Sequence, residues 1–556
     1  MAAVADTAKA LVASLWGEWL PRAVHGYAFN PLLVRDLRSF LRGRRPLALQ
    51  IGYLLVAIIT MAIAALGCHQ ARIMAAQGGG GFRPNYGQTM FVAVFETQVV
   101  LLCLVVVGYS AGAISLEQEK RTFEMLAVTT LSSLEIVLGK IAAITALCAM
   151  LLVTSVPLAA ICLLLGGVSP GEIARCYGLL LYCVPMWSAG CLLISVLVGR
   201  TIGAYVTSMV CMALFLSGAT AGTFYGAGAL SPFLLPFPDV LAQSTVFYIP
   251  ALIWISPLVV YGLLGALCAV AAAEAIPLHR PRRSTALRLL LMLTTFTLVF
   301  LFYSAALPQF VHQYLQGGGA AWNQSKPPTA DNFAAVLPFG LMLAWMLAMA
   351  AVPVFTSYLP PAEAGRNALA WLLGPVSVRR WFQREANVGW RSVLLLFAAF
   401  AAGLVLPLVI AQATGMATGR IFTSSTIAML LFAALLYALS LCAYSFWGAA
   451  FSLAWKDRRI SALLTILAML AVNVLPMYHQ YSPYSFRKLQ FLVHPALVMF
   501  SPLLAADGAL SVGASTFYWG RLWESPVWLF GISVGYQVTL VAAGLLYLRK
   551  VGRKVP

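Results

Sequence analysis

The sequence predicts an all-α polytopic membrane protein with about 12 transmembrane helices, arranged as two related six-helix halves. Three observations carry this expectation. The chain has 556 residues, of which 61% are hydrophobic and only 9% charged, whereas a soluble domain carries roughly 25% charged residues. Its apolar residues recur in runs of about 20, the length of a helix that crosses a hydrocarbon core. Its basic residues, which bring the net charge to +18, gather between those runs. So little charge could not cover a water-facing surface. That excludes an ordinary soluble enzyme, a disordered chain and a secreted disulfide scaffold. Excess positive charge in a soluble protein points to nucleic acid. Between apolar runs it reads as a topology signal instead, and no nucleic-acid partner is expected.

The elements follow in order. Residues 1–46 form a cytoplasmic amphipathic and entry-helix region, with Trp16 and Trp19 at the membrane interface. No cleavable signal peptide is expected, because residues 1–20 lack a basic start and a small-residue cleavage site. Residues 47–280 form the first half, with spans at about 47–67, 89–113, 136–166, 175–199, 201–224 and 250–276. Residues 281–556 form a second, diverged half, with spans at about 285–307, 333–357, 391–411, 424–449, 459–477 and 526–548. The 478–525 stretch is irregular, and its apolar segment Phe491–Leu504 is too short to span. The ten cysteines include no C-x-x-C pair, and most lie in apolar runs, where cysteine acts as a small hydrophobe.

The clusters Arg35–Arg45, Arg280–Arg288 and Arg549–Lys554 fall on one side of this arrangement, so both termini are expected to be cytoplasmic. The halves share a plan. Each opens on a basic cluster, and each carries a glycine run after its first span, at Gly78–Gly80 and Gly317–Gly319. Each has a long cytoplasmic loop between its second and third spans and a tight turn between its fourth and fifth, at Arg200 and Arg458. Six spans return the chain to its starting side, so this is a parallel repeat of the kind found in transporters.

One loop departs from the basic character of its face. Ser115-Leu116-Glu117-Gln118-Glu119-Lys120-Arg121-Thr122-Phe123-Glu124 alternates acids and bases, so it cannot enter lipid. Ser132 or Ser133 then caps the next helix. The loop reads as a short amphipathic helix, a turn and a fresh helix start.

These residues carry a resemblance. Gly112 to Leu126, followed by Thr129-Thr-Leu-Ser-Ser-Leu-Glu-Ile-Val-Leu-Gly-Lys140, closely resembles the loop of type-2 ATP-binding-cassette (ABC) exporter permeases, commonly E-x-E-x-G-T-x-E-x-L and then E-I-x-x-G-K. Asn30-Pro31-Leu-Leu-Val-Arg35-Asp36-Leu-Arg38 resembles that family's entry helix, and the Arg200-Thr201 turn is also similar. The resemblance covers about residues 30–280. It implies a coupling helix that docks on a separate ATPase subunit, with Glu117, Glu119, Lys120, Arg121 and Glu124 forming the contact and Arg35, Asp36 and Arg38 beside it on the entry helix. It also implies export across the cell (inner) membrane, and a homodimer or a further permease chain as assembly partner. Arg121 stands where the family commonly has Gly, and Thr130 where it commonly has Pro. A straighter loop is therefore expected.

The ATPase is not in this chain. A phosphate-binding loop needs G-x-x-x-x-G-K-[ST]. The Gly139-Lys140 pair has Leu134 in front and Ile141 behind. No enzyme activity is expected, and ATP and magnesium would belong to the partner. A second reading is an ion- or proton-coupled carrier. Glu96, inside the second span, is an intramembrane carboxylate, a functional candidate by default, and with Gln98 it would mark a substrate path.

Overall fold

The computed structural model describes residues 31–41, 45–76, 85–121, 132–221, 252–276, 287, 289–301 and 389–413, with isolated positions between 431 and 546. All regular structure among the described residues is helical. Contacts divide the chain into two compact units, Met1–Ser244 with Pro250–Leu287, and Thr245–Ile249 with Arg288–Pro556.

The first unit holds α1 (Pro31–Leu41), α2 (Arg45–Ala76), α3 (Tyr86–Ser110), α4 (Ser115–Glu119), α5 (Ser133–Leu164), α6 (Pro170–Val198), α7 (Thr201–Ala221) and α8 (Leu252–Ala275). Among the described residues, five helices are long and apolar enough to cross a membrane: Pro46–Met74, Tyr86–Glu119, Ser133–Leu164, Pro170–Val198 and Pro257–Ala275. Their outer faces are as apolar as their inner ones. On α2, Ile51, Leu55, Ile58, Ile63 and Leu66 are exposed, and on α5 so are Val153, Val156 and Leu164. Water would penalise such a surface and lipid does not. The first unit is that of a membrane-embedded protein.

Local sequence explains where the helices start and stop. Ser132 caps α5: its Oγ accepts from the Glu135 N–H, and the Glu135 carboxylate accepts from the Ser132 N–H at 2.7 Å. Ser169 and Glu172 make the same reciprocal box at α6. Each box satisfies two donors that a helix start leaves open. Gly199 ends α6 at φ 65, a left-handed position that suits glycine.

α6 is the centre of the unit and packs against α3, α5, α7 and α8. Its contact with α8 uses small residues. Gly265 of α8 lies against Met186, and Gly262 leaves room for Tyr182, whose hydroxyl donates to the Leu258 carbonyl at 2.8 Å. Ala269, Ala272 and Ala273 continue that face, all buried. Close backbone approach over small residues holds membrane helices together, since apolar burial gives no advantage over lipid. Gly87 lets the start of α3 rest on the Cys162 and Gly166 carbonyls, where a Cβ has no room.

In the second unit, α9 (Leu289–Leu301) and α10 (Gly389–Ala413) are apolar helices. They pack where Gly403 meets the Phe296 carbonyl and Val299. The spans read at 333–357 and 459–477 lie outside the described residues, as do Met1–Leu20 and Glu124.

Candidate functional site

The site sits at the end of the first unit where α1, α4, the start of α5 and the α6–α7 turn meet. Its centre is Lys140, seven residues into α5 and only 4% exposed. Its neighbours Ile136, Val137, Ile141 and Ala143 are buried and apolar. A buried ammonium needs partners, and it has three. Its Nζ donates to Glu117 Oε1 at 2.9 Å and to the Ala113 carbonyl at 3.0 Å, and lies 3.8 Å from Asp36 Oδ2. Arg35 completes the group, donating to Asp36 at 2.9 Å and lying 3.5 Å from Glu117. One lysine thus joins the entry helix, the α3–α4 turn and α4 itself. Phe40 fixes the far end of α1, edge-on to Tyr109 of α3 at 4.9 Å.

Glu119 turns the other way. Its carboxylate accepts from the Thr201 backbone N–H at 2.8 Å and from the Thr201 hydroxyl at 2.6 Å. It therefore caps α7 from outside that helix, taking a donor that the helix start leaves open. Ser195 of α6 adds a third tie, its Oγ accepting from the Ser115 N–H at 3.0 Å. Tyr205 of α7 donates to the Gly108 carbonyl at 2.7 Å, and Gly112 leaves space for that ring. α4 is only five residues long, yet it is tied to α1, α5, α6 and α7.

The contact residues implied by the resemblance therefore separate. Glu117 and Glu119 make internal bonds. Lys120 and Arg121 are exposed, as is Leu116. Glu124 lies outside the described residues. On the entry helix, Asp36 joins the Lys140 group, Arg35 bridges to it, and Arg38 is exposed. The backbone of Arg121 is left-handed at φ 56, a conformation that glycine adopts freely, and the loop expected to be straighter, at 122–131, lies outside the described residues.

Lys140 is the residue that sequence reasoning missed. The sequence places it at the end of the E-I-x-x-G-K resemblance and excludes it as a phosphate-loop lysine, with no partner assigned. A lone charge in the run Ile136-Val-Leu-Gly-Lys-Ile-Ala-Ala-Ile144 was the available signal, because it demands a buried acid.

Glu96 and Gln98 lie apart from this site, midway along α3. Gln98 is fully buried and its Nε2 donates to the Tyr177 hydroxyl at 3.0 Å. Tyr177 lies 3.2 Å from Ser155 Oγ, so α3, α5 and α6 meet at one polar joint. Glu96 faces another way. It shares the four-residue stripe Val92, Glu96, Val100, Leu104, of which Val100 and Leu104 are exposed. Structure thus separates two residues that were read as one path.

No group of three or more metal-ligating side chains occurs among the described residues. Cys68 and Cys176 are both free thiols. The site's chemistry is ionic and mechanical: it can hold a short projecting helix in fixed register with the spans. No protein-family model, curated protein or solved structure matches this chain.

Proposed function

We propose that the chain is the membrane-spanning permease subunit of an ABC exporter. It moves substrate when a separate ATPase subunit docks on α4 and the loop that follows. The single observation that carries this reading is the tie of α4 to the bundle. A short cytoplasmic helix joined to α5 through Glu117–Lys140 and to α7 through Glu119–Thr201 transmits a push on its tip to both helices. In this reading Glu117, Glu119, Asp36 and Lys140 are positioning residues, and the ATPase meets the outward side of α4 around Leu116. The chain itself does no catalysis, and ATP and magnesium belong to the partner. The full architecture is about 12 spans in two six-span halves in the inner membrane, with both termini cytoplasmic, assembled with ATPase subunits and either a second copy or a further permease chain.

The test is reconstitution. The full chain in lipid nanodiscs is mixed with a candidate stand-alone ATPase subunit. A stable complex with altered ATP hydrolysis is expected. No complex and no change in hydrolysis would end the reading.

One observation favours a second reading. Glu96 is half-buried on the α3 stripe that carries the exposed Val100 and Leu104, and inside a lipid-spanning helix a charge costs about 3 kcal/mol on insertion scales. An ion- or proton-coupled carrier would use it. Transport driven by a proton or sodium gradient without ATP, abolished by Glu96→Gln, would establish that reading in place of the first.

A further inference from the structure

We propose that the junction of α4 with α7 binds the phosphate of an anionic phospholipid, held by Lys120, Arg121 and Arg200. The two acids of α4 are committed elsewhere. Glu117 serves Lys140, and Glu119 serves Thr201. Lys120, Arg121 and Arg200 are all exposed, and none has an ion pair at contact distance among the described residues. Lys120 and Arg121 follow Glu119 directly, and Arg200 precedes the Thr201 that Glu119 binds. Three cationic residues thus adjoin in sequence the Glu119–Thr201 pair, whose carboxylate oxygens are already engaged.

Depth selects the occupant. α7 has 21 residues, and its apolar stretch Thr201–Ala213 starts directly at this junction. Its outer stripe of Ile202, Val206, Met209 and Val210 is exposed, with Ile202 at 81%. That stripe begins two residues after Arg200. The start of α7 therefore marks the edge of the hydrocarbon, and the three cations lie in the headgroup layer. Leu197, three residues before Arg200, is exposed and offers apolar surface to the first carbons of an acyl chain. Arginine pairs with phosphate through two parallel N–H groups. The phosphate need not displace the cap, since Thr201 is already satisfied by Glu119. This inference needs α7 to lie in lipid and does not rest on a docked ATPase. A protein partner with an acidic groove is the competing occupant, and lipid depth disfavours it.

The experiment is native mass spectrometry of the full chain from detergent containing equimolar phosphatidylglycerol and phosphatidylcholine. The wild type is expected to retain phosphatidylglycerol preferentially. Lys120→Gln, Arg121→Gln and Arg200→Gln should each reduce the preference by about fivefold, the factor for one cation at an anionic surface. Arg175→Gln, at the other end of α6, should leave it unchanged. Thermal unfolding checks that each variant is folded, and the single Arg200→Gln variant decides the matter if the triple variant does not fold. The proposal is overturned if the wild type shows no preference, or if the folded triple variant keeps it. Displacement of the lipid by millimolar inorganic phosphate would assign the cations to a free anion, and would also overturn it.

Discussion

Lys140 Nζ and Glu117 Oε1 lie 2.9 Å apart, 23 residues apart in sequence, with the lysine 4% exposed. This pair fixes how the projecting helix α4 meets the membrane helices. Glu119, two residues on, faces the α6–α7 turn instead. Two acids on one short helix therefore clamp it to two different elements.

Removing the lysine should be costly. Lys140→Met leaves the Glu117 carboxylate without its nearest cation, and breaking a buried pair on one side typically costs about 3–5 kcal/mol. Thermal unfolding of the purified chain should show a large fall for Lys140→Met. Adding Glu117→Gln to it should restore part of the loss. Equal stability for the single and double variants would show that the two side chains are not coupled.

The cap on α7 is a smaller effect. Thr201→Val removes one of the two bonds to Glu119, and losing a helix cap costs about 1 kcal/mol. Hydrogen exchange at the first turn of α7 should quicken in Thr201→Val and in Glu119→Ala, with α5 unaffected. Equal exchange in wild type and Glu119→Ala would remove the cap from the account.

Arg121 offers a gain. A left-handed backbone at a residue with a Cβ costs roughly 1–2 kcal/mol, and glycine avoids that while losing more freedom on folding. Arg121→Gly should therefore raise stability by up to about 1 kcal/mol. A loss of that size would mean that the guanidinium makes a contact which outweighs the backbone strain.

The polar joint inside the spans should behave as an adhesive between helices. Tyr177→Phe removes the hydroxyl shared by Gln98 and Ser155. Such bonds contribute about 0.6 kcal/mol on average inside membranes. A modest fall in stability is expected, with no effect on transport. Abolished transport with unchanged stability would place Gln98 and Tyr177 on the substrate path.

Five of the six spans expected in the first unit were legible because a helix in lipid announces itself by length and composition alone, whereas the 201–224 span appears as an apolar stretch of Thr201–Ala213 only. Starts such as that of α5 were legible too, though sequence left Ser132 and Ser133 open and geometry chose Ser132. The directions of Glu117 and Glu119 were not. Charge alternation shows that a helix cannot enter lipid, but not which acid finds which partner. Those partners come from Lys140 and Thr201, distant in sequence and brought close only by the packing of α5 and α6. The backbone of Arg121 was not legible either: residue preference argues against a left-handed conformation at a residue with a Cβ, yet Arg121 adopts one at φ 56.

The central claim is that Glu117 and Glu119 position α4 and do not touch the ATPase. The most direct measurement combines binding and hydrolysis for the full chain with its stand-alone ATPase, comparing wild type with the Glu117→Gln, Glu119→Gln double variant. The account predicts that the folded variant still binds the ATPase within about threefold, because rim contacts outside these acids set docking, while its effect on ATP hydrolysis is lost. Loss of binding by the folded variant would contradict it and make the two acids part of the contact itself.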